Sequence, residues 1–500
     1  MLKIFGRTKL VVLSLFVVNL AMGFLLINEG LFHQDAVILA KAVENTYANG
    51  HLQPAVRGRY GCVLINSILY FPFYKLGQNA DFATRFSSVL FHALSIAAFF
   101  LFIYEYFGNR VQALFGALLL SVTPFYFSPN TYGKEHGMSI FFFLTALYLL
   151  RRSLRKNNIA LLSVSSFVLG FAVSVRESII IAAPLYFLIY LDPQICLKPP
   201  VIRLPYVRLR PKYLCAILLP FAITFLFLYF SYLKPAIYRE LFIHDDTTIS
   251  FMGILSPYLQ LALGDLYKSA PFLLFLFAAL GIMQLVMKEK IFPVLLFLSW
   301  FLLILYFGNL DMYAPRFLDI VILPVYILAS YALAILYSKD KAVAVIIVVY
   351  LVSSMFIFMY PSLKFRHSYN GEKEFALFVK DKTEPNAIIV TMDDALFIEY
   401  YAGRKSLTHP IDYWKEMHPF LRQVAMYLVN GIPVYLTGSG LSYDPKQTFR
   451  NIIMTNFNMT LVGSKLCEDY HRPELKFAIY NQDLYKLDFK FKSKAVEKQL

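Results

Sequence analysis

The sequence predicts a polytopic α-helical membrane protein of about eleven transmembrane helices, followed by a small C-terminal extracytoplasmic α/β domain. Three observations predict it. Of 500 residues, 58% are hydrophobic, 17% aromatic and only 16% charged, a composition too apolar for a soluble chain of this length. Apolar runs of about 15 to 21 residues recur between 10 and 360, each near the length that crosses a hydrocarbon core of about 30 Å. The last 140 residues instead mix charges and alternate like a soluble domain.

The expected spans are 10–28, 86–104, 111–127, 136–150, 159–175, 178–191, 213–231, 270–287, 291–307, 317–337 and 342–360. Lys3, Arg7 and Lys9 precede the first, as they would in a signal peptide. Asn28, Glu29 and Gly30 follow it without a small-residue cleavage pattern, which favours an anchor.

A net charge of +15 invites a nucleic-acid reading, but the distribution of charge argues otherwise. With the N-terminus inside, cytosolic segments hold 17 Lys and Arg against 4 acids, whereas the outer loops hold 11 against 12. The tail from 361 holds 19 against 16. The excess is therefore a positive-inside signal and not a nucleic-acid footprint. It places the chain in the cell membrane with a cytoplasmic N-terminus and an outer C-terminal domain. This topology requires residues 62–77, CVLINSILYFPFYKLG, not to cross the membrane; they read as an interfacial or re-entrant helix, with Pro72 and Lys75 breaking the apolar run.

Four cysteines, Cys62, Cys196, Cys215 and Cys467, are too scattered for a disulfide framework. No CxxC, HExxH or EF-hand pattern occurs, so no cofactor is predicted, with a divalent metal left open.

The domain division expected is 1–360, including the outer loop 29–85, and 361–500. Residues 29–85 and 232–269 form long outer segments, which puts the work on that face. Within the first, 36–49 reads as an amphipathic helix. Ala36, Leu39, Ala40, Val43 and Tyr47 share one face, Lys41, Glu44 and Asn45 the other, and Gly50 closes it. In the tail, 386–394 and 433–438 read as strands, 419–431 as a helix and 476–489 as a closing hairpin. Gly438, Ser439 and Gly440 give a weak phosphate-loop signal against an ordinary loop. The lone sequon at Asn458 is near chance frequency.

Ionisable groups at the outer boundary are costly there unless paired or functional. They are Asp35, Arg57, Arg59, Lys134, Glu135, Arg176, Glu177, Asp245, Asp246, Arg316 and Asp319. Asp35 suits the N-cap of the helix from Ala36, a place that also keeps a carboxylate ionised and able to serve as a base. Lys134 and Glu135 read either as a snorkelling pair or as active-site support. Arg176 and Glu177 read as a mutual or cross-loop ion pair or as the same support, and Arg316 can pair with Asp319. Several cations at one face also suit a polyprenyl phosphate headgroup, because Arg binds two phosphate oxygens at once.

The order of HQDA, GRYG, YKLGQNADFATRFSS and APRFLDIVILP resembles the GT-C glycosyltransferases, in particular the protein mannosyltransferase and aminoarabinose transferase group. The resemblance spans residues 1 to about 360. It implies Asp35 as the acid beside the acceptor, and Arg59, Arg316 and less directly Arg57 as contacts of the donor phosphate. The chain departs from the pattern in two places. GRYG stands where the aminoarabinose transferases carry a Lys and two prolines, and His33-Gln34-Asp35 replaces the Asp-Glu pair of the protein mannosyltransferases. A WWDYG-like sequence, the mark of oligosaccharyltransferases, is absent.

The function expected is an integral-membrane glycosyltransferase. It moves a sugar from a polyprenyl-phosphate donor to a hydroxyl acceptor, whether protein, lipid or glycan, on the outer face of the lipid bilayer with inversion. The phosphate leaves unaided, so one essential acid suffices. The alternatives are a polytopic transporter or flippase, or a polyprenyl-lipid binding protein without transferase activity. Transporters show internal repeats and mid-span charges, and neither is seen here.

Overall fold

The computed structural model describes residues 2–55, 59–197, 200–203, 210–228, 271–308, 320, 322–392, 394–410, 413–442, 447–471 and 476–490. By its contacts the chain divides into two units. One comprises Met1–Ile27, Ala42–Phe365 and Arg472–Leu475, the other Asn28–Lys41, Arg366–His471 and Lys476–Leu500. Residues 28–41 thus group with the C-terminal residues.

In the first unit, apolar helices overlap the described parts of the expected spans. They are α1 (Leu2–Leu25), α4 (Asp81–Phe107), α5 (Arg110–Ser121) with α6 (Pro124–Phe127), α7 (His136–Lys156), α8 (Ile159–Val175), α9 (Ala183–Leu191), α10 (Pro211–Leu228), α11 (Phe272–Met287), α12 (Ile291–Gly308), α13 (Leu323–Lys339) and α14 (Lys341–Ser368). Between α1 and α4 come α2 (Gln34–Asn49), which runs across both units, and α3 (Tyr60–Lys75). Four helices are long and apolar enough to cross a membrane alone, and the α5–α6 pair, bent by 67° through Thr131, makes a fifth; the other described apolar helices are shorter. A two-stranded hairpin, β1 (Gln194–Leu197) with β2 (Pro200–Arg203), lies in the basic loop after α9.

Local chemistry explains where these helices turn. Gly108 takes a left-handed conformation at the end of α4, and the Asn109 side chain then accepts from the Val111 and Gln112 amides to start α5. Asn157 ends α7 in the same left-handed conformation, and Asn158 caps α8 by accepting from Leu161. The helix expected over 62–77 forms as α3, its apolar run interrupted at Pro72. Pro72 lies inside the helix, which runs on to Lys75 and closes with the Leu76 and Gly77 amides donating back to Phe73 and Tyr74. Leu64, Ile68 and Phe71 remain exposed at helical spacing on α3, the apolar face expected of an interfacial segment.

Between the helices the core is aromatic, with Trp300 fully buried and edge-on to Phe143. Two buried tyrosine hydroxyls find partners: Tyr326 pairs with Thr123 at 2.5 Å and Tyr186 with Ser165 at 2.7 Å. That satisfies groups which hydrocarbon could not. Leu10, Leu13, Val17 and Val18 of α1, and Ile346, Val349 and Ile357 of α14, stay exposed as lipid-facing apolar surface.

The second unit is the expected α/β domain. It holds α15 (Gly371–Lys382), β3 (Ile388–Thr391), β4 (Lys405–Thr408), α16 (Tyr413–Val429), β5 (Val434–Thr437), α17 (Gly438–Ser442), α18 (Thr448–Asn456), β6 (Phe457–His471) and β7 (Lys476–Phe489). The sheet order is β4-β3-β5-β7-β6, with β3 parallel to β4 and β5, and β7 antiparallel to β5 and β6. Val390, Leu436, Phe449 and Leu487 meet in its core.

Three tail expectations are corrected. Residues 476–489 form one long strand paired with β6, because the Phe457–His471 segment supplies the other arm of the hairpin. The helix expected from 419 starts at Tyr413, with Pro419 inside it. Gly438–Gly440, read rather as an ordinary loop, starts a five-residue helix. Asn458 of the sequon lies in β6.

Residues 28–41 are fastened to this domain. The Leu31 amide donates to the Tyr401 hydroxyl at 2.9 Å, and Asn370 donates to the Leu31 carbonyl at 3.0 Å. Lys373 pairs with Glu29 at 2.8 Å and Lys41 with Glu399 at 2.6 Å. Arg366, buried, stacks over Phe32.

Candidate active site

Of the sequence-nominated groups in the first unit, the five that are described come together: Arg59, Lys134, Glu135, Arg176 and Glu177. The Arg59 guanidinium forks onto Glu177, with Nε and Nη2 each donating at 3.0 Å, and its Nη1 donates to Glu135 at 2.6 Å. Arg176 Nε stands 4.0 Å from the same Glu135 oxygen, and its Nη1 reaches His136. These side chains are buried: Arg59 is 9% exposed, Glu135 5% and Arg176 3%. Lys134 and His136 are buried beside them. The ion pairs that Arg59 makes with Glu135 and Glu177 are therefore cross-loop.

Each arm of the cluster is placed by its own backbone. Arg59 precedes the first turn of α3, and Gly61 in that turn sits against Ser174 at the end of α8. A Cβ on Gly61 would collide with the Ser174 hydroxyl and crowd the backbone behind it. That close approach carries Arg59 to Glu177, two residues beyond α8. Glu135 precedes α7, whose entry is set by Asn130: its side chain accepts from the Gly137 amide at 2.7 Å and donates to the Tyr126 carbonyl at 2.7 Å. A Cβ on Gly137 would stand 2.8 Å from the His92 backbone nitrogen, so only glycine lets α7 approach α4 this closely. The bent α5–α6 pair thus returns the chain to present Lys134 and Glu135.

Burial pushes the Glu135 carboxyl up, but Arg59, Lys134 and Arg176 together outweigh it and hold its pKa at about 2. Glu135 is a permanent anion that orients cations. Among the described residues the cluster gathers three cations, Arg59, Lys134 and Arg176, and two acids, Glu135 and Glu177. That gathering, with N–H groups fixed by carboxylates, suits a phosphate dianion.

Asp35 lies in the second unit. It is not the N-cap expected, because α2 begins one residue earlier, at Gln34, and Asp35 occupies the first turn. The Asp35 amide donates to His33 Nδ1 at 3.2 Å, and that nitrogen lies 3.7 Å from the Asp35 carboxylate. His33 holds φ at +98°, a left-handed conformation that a histidine adopts only at a cost. The Asp35 side chain is 25% exposed, open to solvent but held by the first turn of a sixteen-residue helix.

Arg57, Asp245, Asp246, Arg316 and Asp319 lie outside the described residues. Among the described residues no three His, Cys, Asp or Glu side chains gather as a metal site, and Cys62, Cys215 and Cys467 are free thiols. Sequence reasoning passed over two features. His136 joins the cluster through Arg176, and its signal was its place next to Lys134 and Glu135. Asp81 and Arg85 form a buried i,i+4 pair at 2.5 Å on α4, readable from their spacing in DFATR.

The family model described as dolichyl-phosphate-mannose-protein mannosyltransferase matches residues 68–209. No curated protein matches the sequence. Among solved structures, ArnT from Cupriavidus metallidurans bound to undecaprenyl phosphate is 13% identical with a TM-score of 0.58, covering 96% of this chain and 97% of that one. The oligosaccharyltransferase AglB from Archaeoglobus fulgidus, in complex with an inhibitory peptide and a dolichol-phosphate, is 13% identical with a TM-score of 0.56, covering 94% of this chain and 74% of that one. The arabinofuranosyltransferase AftD from Mycobacteria is 12% identical with a TM-score of 0.55; this chain matches it over 95% of its own length but only 40% of AftD. The resemblance to GT-C glycosyltransferases is thus borne out at the level of fold.

Proposed function

We propose that this chain, a multi-pass membrane protein with the fold of the GT-C glycosyltransferases, transfers a sugar from a polyprenyl-phosphate donor to a hydroxyl acceptor on the outer face of the cell membrane. The observation that carries the reading is the buried cluster in which Glu135 and Glu177 hold the Arg59 fork beside Lys134 and Arg176. Buried guanidinium and ammonium groups gathered in one place can hold an anion, and a lipid phosphate is the anion a membrane helix bundle meets. The likeness to ArnT and AglB, each solved with a polyprenyl phosphate, supports the same ligand class.

In this mechanism Asp35 accepts the proton of the acceptor hydroxyl, whose oxygen attacks the anomeric carbon. The bond from that carbon to the phosphate oxygen breaks, and the phosphate leaves with the electron pair. Arg59, Lys134 and Arg176 stabilise the charge that grows on it, and Arg316 and Arg57 are the further phosphate contacts proposed. A single displacement inverts the anomeric centre.

The test offers purified full-length protein a panel of polyprenyl-phosphate sugars and follows release of free polyprenyl phosphate. Consumption of one donor, dependent on an added acceptor, is the expected result. Translocation of the lipid without cleavage of any donor would instead establish a flippase.

A further inference from the structure

A cavity of 680 Å³ lies at the end of the helical unit that carries the basic segment 151–156, among α1, α4 and α7. Its walls are apolar, from Val12 and Phe16 on α1 to Leu94, Ala97 and Leu101 on α4. Its rim is cationic, built from Lys9, Arg152, Arg155 and Lys156 against a single acid, Glu105. None of these residues takes part in the Arg59 cluster. Arg152 is held in place by the Tyr148 hydroxyl and ring, and Arg155 reaches Glu105 at 3.5 Å while remaining 72% exposed. One rim arginine is therefore fixed and another is free to swing toward a headgroup. Leu13, which lines the cavity, is 57% exposed, so the cavity opens toward the bilayer along α1.

We propose that this cavity binds an anionic phospholipid of the cytoplasmic leaflet, its phosphate at the basic rim and one acyl chain between α1 and α4. Charge complementarity selects the occupant. Basic pockets between membrane helices on the cytoplasmic side hold anionic headgroups, with each nearby Lys or Arg adding to the attraction. The apolar walls exclude a free inorganic phosphate as the full occupant, and the volume falls within the range of ordinary ligand cavities, about 300 to 1,000 Å³. The positive-inside distribution puts this rim on the cytoplasmic face, across the membrane from the transfer reaction proposed above.

Native mass spectrometry of the full chain with phosphatidylglycerol, phosphatidylcholine or polyprenyl phosphate tests the inference. The wild type should retain one phosphatidylglycerol at least about tenfold more than phosphatidylcholine. Replacing the three rim cations of α7 (Arg152→Gln, Arg155→Gln, Lys156→Gln) should remove that preference, whereas Lys288→Gln with Lys290→Gln, at a different basic turn, should not. Leu13→Trp, which obstructs the mouth and keeps every charge, should also lose the lipid and decides the matter if the triple variant fails to fold. Equal retention of the two phospholipids, loss of binding in the Lys288 and Lys290 control, or displacement of phosphatidylglycerol by equimolar polyprenyl phosphate would each overturn the proposal.

Discussion

Arg59 holds Glu177 through two parallel hydrogen bonds of 3.0 Å, and its third donor nitrogen holds Glu135 at 2.6 Å. A planar fork is needed to satisfy both acids at once. Arg59→Lys keeps the charge but gives up that geometry, so donor KM should rise while the protein still folds. Arg59→Ala strands two buried carboxylates and should cost about 3–5 kcal/mol of stability. Donor kinetics and denaturant unfolding of the two variants separate these effects; unchanged donor kinetics in Arg59→Lys would remove Arg59 from donor binding.

The cluster also fixes a pH dependence. Glu135 is depressed from 4.5 to about 2 in the folded protein, so its contribution to stability is fully present above the unfolded value and lost as pH falls through the folded one. Thermal unfolding midpoints should therefore be level with respect to this group at pH 5 and above, and decline between about 4.5 and 2. Against its own burial, Glu177 is held at about 2 by the same Arg59, so Glu135→Gln should make that acid limb shallower without abolishing it. A wild-type midpoint that drops between pH 7 and 5, and does so equally in the variant, would mean that another group governs.

Gly61 offers a steric test of how Arg59 is positioned. Gly61→Ala drives a methyl group into the Ser174 hydroxyl and should cost about 1–3 kcal/mol through overpacking. Activity should fall with it, because α3 can relieve the clash only by carrying Arg59 away from Glu177. Adding Ser174→Gly should restore part of both. A fully stable, fully active Gly61→Ala would show that the close contact is not needed.

The segment bearing Asp35 is fastened to the C-terminal domain by Lys41 and Glu399 at 2.6 Å, with Ser406 donating to the other Glu399 oxygen at 2.5 Å. Both members of the ion pair are about one-third exposed, so its loss should be small in global stability. Amide exchange over residues 28–41 should nonetheless quicken in Glu399→Gln, and kcat should fall if Asp35 must be held still. Exchange unchanged from wild type would dissociate the tether from the order of this segment.

The membrane helices were legible because lipid demands long apolar runs, and composition alone carries that demand. The outer cluster was legible as a set of residues, since charges at a membrane edge stand out, but not as a set of partners. Arg59 meets Glu177 across 118 positions because Gly61 fits Ser174, and no local pattern encodes that fit. Asp35 was read as a cap on the strength of its residue type, and the chain starts its helix one residue sooner, with His33 strained to do so. The tail hairpin was misplaced because β6, rich in polar residues on one face, carries a weaker apolar alternation than its partner β7.

The most direct measurement is sugar transfer by purified Asp35→Asn, which removes one ionisable oxygen and almost nothing else. Transfer should fall by about 10²–10⁴-fold, the range typical of a lost general base, while retention of the polyprenyl-phosphate donor stays at the wild-type level. Near-normal transfer by Asp35→Asn would contradict the assignment of Asp35 as the base and, with it, the mechanism built on a single acid.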